Sequence, residues 1–284
     1  MTQSKTHSEF GKTETGSYES EPRFFDSNAA VCGGGLPGRM ASLGFSVCGM
    51  KVLGVNTSTI FGSVGLVDTD RVLGEYALNI PVTHSERLMT SIDRLLTDTK
   101  VPLEEIEGFS VTLGPGSFTG LRIGISAIKG FAFATGRPVA GVSTLEALAL
   151  NAFNSASTVC PILDARKKET YAALFRAEPS RRLKRLTPDM VISPRDLVEE
   201  IHGPVVFLGD GVEVYGDFLR RKIGRKASFV PPELNYVHGT VVARMGLKLI
   251  LKGKTLDLAN LVPHYIRRSE AEIKYEEKAR KSTE

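Results

Sequence analysis

Phe109-Ser-Val-Thr-Leu-Gly-Pro-Gly-Ser-Phe-Thr-Gly-Leu-Arg-Ile-Gly-Ile-Ser-Ala-Ile-Lys-Gly-Phe-Ala-Phe133 reads as a short apolar strand, a glycine turn and a long helix. Gly114 and Gly116 flank Pro115, so backbone that tolerates positive φ sits beside a ring that fixes φ. The turn is therefore tight, and the bare N–H groups at the helix mouth are placed to hold an anion. Along the helix, Phe118, Leu121, Ile125, Ile128 and Ala132 repeat at three-four spacing on one face. Gly120, Gly124 and Ala127 put small residues on another. Such a face lets a second helix come close, either within the same domain or from a partner.

Upstream, Val52–Val55 reads as a buried strand, Asn56-Thr57-Ser58-Thr59 as a polar turn, Ser63–Val67 as a returning strand and Val72–Ile80 as a third. Thr83 opens a helix with Glu86 at capping-box spacing, and Leu88, Ile92, Leu95 and Leu96 form its inward stripe. Downstream, Pro138–Val142 is a strand, and Ser143-Thr-Leu-Glu146 caps the next helix. The order then restarts. Val159–Leu163, the turn Asp164–Glu169, Thr170–Arg176 and a strand near Leu183–Ile192 precede a helix from Ser193-Pro194 to about Ile201. The strand Val205–Leu208 and Gly209-Asp210-Gly211 then lead into another helix. Two tandem β-β-β-α-β-α units with mixed sheets are the plan of the α/β actin-like (ASKHA) fold, in which nucleotide sits between the halves. The expected division is a disordered extension over residues 1–49, domains over 50–157 and 158–265, and a charged tail over 266–284. The extension is rich in Ser, Thr, Glu and Gly. Met50 stands directly before the first strand, so a working start at Met50 is one reading.

The 284 residues have 42% apolar and 24% charged side chains, the balance of an ordinary globular protein. No run of about eighteen apolar residues suggests a membrane span. The cysteines Cys32, Cys48 and Cys160 lack framework spacing, and a cytoplasmic protein with no membrane association is expected. Net charge is only +4, but cations gather in the second half. They include Arg166, Lys167, Lys168, Arg176, Arg181, Arg182, Lys184 and Arg185, then Arg220, Arg221, Lys222, Arg225 and Lys226. These form either a solvated surface or a phosphate-contacting patch.

Several chemistries are excluded by spacing. Gly114, Gly116 and Gly120 do not make a dinucleotide fingerprint, because no acid follows at the end of the next strand. Gly120 is followed by Leu121-Arg122, which is not a Walker loop. The five histidines His7, His84, His202, His238 and His264 include no pair three or four apart, so no metal site is expected. No G-x-S-x-G elbow occurs. Asp164 in its hairpin turn reads as an Asx cap or a phosphate-orienting group.

Leu53-Gly-Val-Asn-Thr-Ser-Thr59, His84-Ser-Glu-Arg-Leu88, the Gly114–Gly124 block, Gly141-Val-Ser-Thr-Leu-Glu146, Leu163-Asp-Ala-Arg166 and Val262-Pro-His-Tyr-Ile-Arg-Arg268 together resemble the TsaB (YeaZ) family. The resemblance spans about Lys51 to Lys274. It implies a bacterial subunit of the machinery that puts a threonylcarbamoyl group on adenosine 37 of tRNA. It also implies a catalytic paralogue, TsaD, as partner, with the ATPase TsaE bound to the pair, a homodimer when alone, and tRNA met only through the complex. No catalytic residue is expected. Thr144 and Leu148 stand where the paralogue carries its two metal-binding histidines, so no metal is expected either.

The resemblance further implies an interface through the helices of the first domain, at or near His84, Arg87, Leu88, Gly120, Arg122, Ile123, Gly124 and Ala127. A bulky residue at Gly124 is then expected to block TsaD without unfolding the chain. Asn56 replaces the aspartate that orients metal-bound phosphate in actin-like enzymes. Asn56, Thr57, Ser58, Gly114, Gly116 and Ser117 remain possible nucleotide contacts, with ATP or ADP at the subunit or domain interface but none required. The rival readings are an actin-like small-molecule kinase or ATPase, marked by ATP turnover of the isolated chain, and a glycoprotease-type metallopeptidase, marked by bound zinc.

Overall fold

The computed structural model describes residues 49–178 and 183–267. The expected extension over residues 1–48, the pair Arg181-Arg182 and the tail beyond Arg267 lie outside the described residues.

Alternating and continuous apolar runs form the first sheet. β1 (Val52–Asn56), β2 (Gly62–Val67) and β3 (Val72–Leu78) make the antiparallel meander. α1 (His84–Thr99), β4 (Gly108–Gly114), α2 (Phe118–Thr135), β5 (Val139–Ser143) and α3 (Thr144–Ala149) follow. The order is β3-β2-β1-β4-β5, with β4 parallel to both β1 and β5. α1 and α2 lie side by side on one face. There Leu88, Ile92, Leu95, Ile125, Ile128 and Ala132 pack on Leu53, Val55, Phe109 and Val111. Each of these side chains larger than alanine, fully buried, contributes roughly 1.5–3 kcal/mol of transfer free energy.

The second half repeats the plan. β6 (Thr158–Asp164), β7 (Thr170–Ala172), β8 (Phe175–Ala177), β9 (Leu183–Arg185) and β10 (Met190–Ile192) are followed by α4 (Pro194–Glu199), β11 (Val205–Leu208), α5 (Gly211–Ile223), β12 (Ala227–Phe229) and α6 (Gly239–Leu251). The main path is β10-β7-β6-β11-β12, with β8 and β9 as a side ribbon on β6. The repeated order establishes the duplicated actin-like fold. Two expected strands are broken. β7 and β8 hold one continuous register on β6, Ile162 opposite Ala172 and Val159 opposite Phe175. The gap falls opposite Cys160-Pro161, and proline has no N–H to donate. The expected strand near Leu183–Ile192 is likewise interrupted at Thr187-Pro188.

The division expected at residue 158 assigns α6 to the second unit, yet α6 packs on the first sheet, on the face opposite α1 and α2. Ala243, Leu247 and Ile250 meet Met50, Val52 and Val67 there. Conversely, Leu145 and Leu148 of α3 join Val159, Leu163 and Leu208 of the second half. Each half lends its last helix to the other. The approach of α6 needs glycine: Gly54 and Gly65 are opposed on β1 and β2. A Cβ on Gly54 would lie 2.3 Å from the Ala243 nitrogen, and one on Gly65 2.2 Å from the Thr240 nitrogen.

The same helix start carries a charge pair. Glu75 of β3 accepts from the Thr240 N–H at 3.2 Å and faces His238 Nδ1 at 3.0 Å. That hydrogen bond raises the His238 pKa against the opposing pull of burial. A raised folded pKa gives stability that is complete below about pH 6.5 and fades as pH rises through the folded value. His84 has the opposite sign: burial lowers its pKa, so its contribution is lost on acidification below about pH 6.5. The variant His238→Gln should therefore lose the decline of melting temperature as pH rises above about 6.5 and keep the limb just below about pH 6.5 that His84 supplies. Identical alkaline limbs in variant and parent would show that the pair contributes nothing.

Candidate partner surface

Most of the residues expected to hold phosphate, and several of those expected to hold a partner, meet at one knot that is buried at its centre. Asn56 ends β1, Thr57 and Ser58 follow it, and the three are 0%, 0% and 1% exposed. The Ser117 N–H donates to the Ser58 carbonyl at 2.7 Å, and Ser117 Oγ caps α2 by accepting from the Gly120 N–H. Cβ atoms on Gly116, Gly120 and Gly124 would lie 2.3 Å from the Ser58 carbonyl oxygen, 2.1 Å from the Thr57 carbonyl oxygen and 2.3 Å from Thr57 Oγ1. The small-residue row of α2 is therefore filled by Thr57 of the same chain. Gly120 and Gly124 present no surface to a partner helix, which corrects the expected interface at these two positions. It also argues against the expectation that a bulky residue at Gly124 leaves the fold intact, since its Cβ would meet Thr57.

In the turn, the side chain of Asn56 is taken up by the protein's own groups. Its Nδ2 donates to the carbonyls of Phe61 and Val237, at 3.3 and 3.2 Å. Its Oδ1 accepts from the Ser58 N–H, Ser58 Oγ and Thr112 Oγ1. An adjoining cavity, bounded by Asn56, Thr57, His84 and Arg87, measures about 10 Å³ and is far too small for a nucleotide. Gly114 is also buried, with the His264 carbonyl oxygen 2.6 Å from its Cβ position. The expected nucleotide contacts are thus brought together but satisfied by protein. Asn56→Asp would turn a donor into an acceptor facing two carbonyls. We expect it to destabilise the chain by about 2 kcal/mol in urea melts, and an unchanged midpoint would contradict this reading of the turn.

His84 and Arg87 clamp the knot from α1. His84 Nε2 is 2.6 Å from the Thr59 carbonyl oxygen. Arg87 donates to the carbonyls of Ile60, Leu78 and Ile80. Arg87 and Leu88 are only 8% and 5% exposed, so their side chains serve the fold and not an outer surface. Ile123 and Ala127 are half-buried against the first core. Arg122 is exposed, but its guanidinium lies 3.9 Å from the Phe118 ring centroid and Nε donates to the Tyr265 hydroxyl.

That contact belongs to a strap. The His264 N–H donates to the Leu113 carbonyl at 2.7 Å, Tyr265 stacks on Phe118, and Arg267 reaches the Ala165 carbonyl and Glu169 in the second half. Asp164 is an Asx cap, accepting from the Arg166 N–H at 2.9 Å. Beside it, burial pushes the Asp210 carboxyl up to about 6. Thr144 and Leu148, at the positions matching the paralogue's ligands, are both 0% exposed, and Leu148 lies in an apolar cluster.

What α1 and α2 do offer is their outward face. Met89 is 53% exposed near the start of α1, and Phe133 is 83% exposed at the end of α2. Along α2, Ser126 and Gly130 are also exposed, with open space over the Gly130 Cβ position. Phe133 lies off the inward repeat that ends at Ala132. That offset is the sequence signal that singles it out from the surrounding apolar run, and it is absent from the expected contact set.

Comparison with known proteins gives a consistent picture. The family model "TsaD: tRNA N6-adenosine threonylcarbamoyltransferase" matches residues 80–275. The chain is 30% identical to the tRNA threonylcarbamoyladenosine biosynthesis protein TsaB of Bacillus subtilis, over 80% of the chain and 98% of that relative. It is 28% identical to the Escherichia coli TsaB over 78% of the chain and 96% of the relative. The solved structure of YeaZ from Pseudomonas aeruginosa aligns with a TM-score of 0.65 at 26% identity, covering 76% of this chain and all of that one.

Proposed function

Because the chain belongs to the TsaB (YeaZ) family, we propose that it serves tRNA threonylcarbamoyladenosine biosynthesis as a non-catalytic scaffold. In this reading it binds a TsaD-like paralogue through the outward face of α1 and α2, in concert with a TsaE-like ATPase, and pairs with itself when alone. It meets tRNA within that complex, in the cytoplasm. Among the described residues no helix is long and apolar enough to cross a membrane.

The observation that carries this reading is the contrast between the two sides of the helix pair. The inner side fills the phosphate turn with Thr57 and three glycines, while the outer side leaves Phe133 and Met89 exposed. A chain that closes its own phosphate turn and exposes a helix face is suited to lending surface to an enzyme. ATP or ADP, where the assembly uses it, is held at a subunit interface and not by Asn56–Ser58. The test is reconstitution: the chain and the TsaD-like protein of the same organism, mixed with a TsaE-like ATPase, should co-elute on gel filtration and modify a tRNA transcript. The chain alone should neither modify tRNA nor turn over ATP. Turnover by the isolated chain, or failure to co-elute with the paralogue, would overturn the proposal.

A further inference from the structure

We infer that the groove on the outer face of the β8–β9 ribbon docks the phosphate backbone of RNA. The groove encloses about 530 Å³ at the end of the second sheet where β6 and β11 begin. Thr158, Arg176 and His202 line it with polar groups, and Leu174, Leu186 and Ile201 with apolar ones; Glu200 is the acid on its wall.

The first observation is a like-charge pair. Arg176 and Lys184 are directly opposed in the antiparallel register, and both are exposed. Directly opposed side chains have Cβ atoms roughly 5 Å apart, and like charges there destabilise the ladder. Among the described residues, neither cation has a carboxylate partner. The neighbouring position shows that the ribbon can pair its cations: Arg185, on the inner face, is 2.5 Å from Asp189 and 3.8 Å from Glu146. An anion supplied from outside would relieve the repulsion between Arg176 and Lys184.

The second observation is reach. One register row crosses four strands, from Arg176 to Thr158, Val205 and Ala227. Three strand spacings amount to roughly 15 Å. At the far end, Arg225 and Lys226 precede Ala227 and are exposed, with Arg221 and Lys222 at the end of α5 beside them. Cations at both ends of such a row span more than one small anion covers and suit a polyphosphate chain. No Phe, Tyr or Trp lines the groove, and His202 is the one aromatic ring there, so it contacts chiefly backbone and sugar and carries little base readout.

RNA is the chosen occupant because the inference rests on the proposed role in tRNA modification. The test uses the full chain with glutamine at both positions, Arg176→Gln and Lys184→Gln, with and without the TsaD-like paralogue. Binding of a labelled tRNA transcript is followed by anisotropy from 50 to 200 mM salt. The double variant should bind about tenfold more weakly near 100 mM, with the slope of log K against log salt smaller by about 1 to 2. Its melting temperature should stay the same or rise, since a repulsion has been removed. Unchanged affinity and slope would show a merely solvated face. Retained tRNA binding with lost binding of polyglutamate would make the groove a protein site. Either result overturns the inference. Gel filtration on the same samples separates the two ideas: if the parent chain fails to co-elute with the paralogue, the proposed function falls, while tRNA binding by the isolated chain still decides the groove.

Discussion

Gly124→Leu is expected to unfold the first half of the chain, at a cost of about 4 kcal/mol or more, beyond the usual range for core overpacking. The Cβ alone would lie 2.3 Å from Thr57 Oγ1, and Thr57, fully buried, has no open space to retreat into. Thr57 is 0% exposed, and its hydroxyl is buried with no hydrogen-bond partner. Removing that hydroxyl therefore forfeits little, and this supplies the control. Gly124→Ala should cost about 2 kcal/mol, and Thr57→Ala in the same chain should recover much of it, a coupling that a double-mutant cycle in urea measures directly. A Gly124→Leu protein that melts with the parent would show that α2 can move away from the turn. The glycine row would then be free surface after all.

The order of elements was legible because both halves state it in strong local signals. Apolar strands end at Asn56 and Asp164, Thr83 and Ser143 announce helices, and the Gly-Pro-Gly turn joins β4 to α2. The repeated sheet order follows from those signals. Two features were not legible, for different physical reasons. Which sheet α6 covers depends on contacts far along the chain, and its marks are Gly54 and Gly65, single glycines inside strands that look like ordinary weak points until a helix backbone is laid on them. The assignment of Gly120 and Gly124 failed differently. A small-residue face states that something comes close, and the sequence cannot say whether it is a partner's helix or the chain's own turn. The knot also explains Asn56. With Phe61 and Val237 carbonyls pointing at the side chain, an amide fits where a carboxylate would not.

Phe133→Asp tests the surface in the way Gly124 cannot. At 83% exposure this ring has little packing to lose, so the substitution should leave folding stability within about 0.5 kcal/mol, apart from a small penalty for an anion at a helix C-terminus. Phe133→Ser controls for that charge. If the outward face of α1 and α2 seats the TsaD-like partner, Phe133 is the large apolar anchor there, and an aromatic anchor truncated in a desolvated interface typically costs 2 kcal/mol or more. We expect Phe133→Asp to weaken the complex about 100-fold, about 2.7 kcal/mol, in a titration against the labelled paralogue, with an unchanged melting curve. Met89→Asp, on the exposed side of α1, should show a smaller loss of the same kind. Binding equal to the parent in both variants would remove the outward face from consideration and leave the scaffold role without a surface. Lost binding with intact folding at Phe133, set beside lost folding at Gly124, would separate the side of α2 that builds this chain from the side that it offers to another.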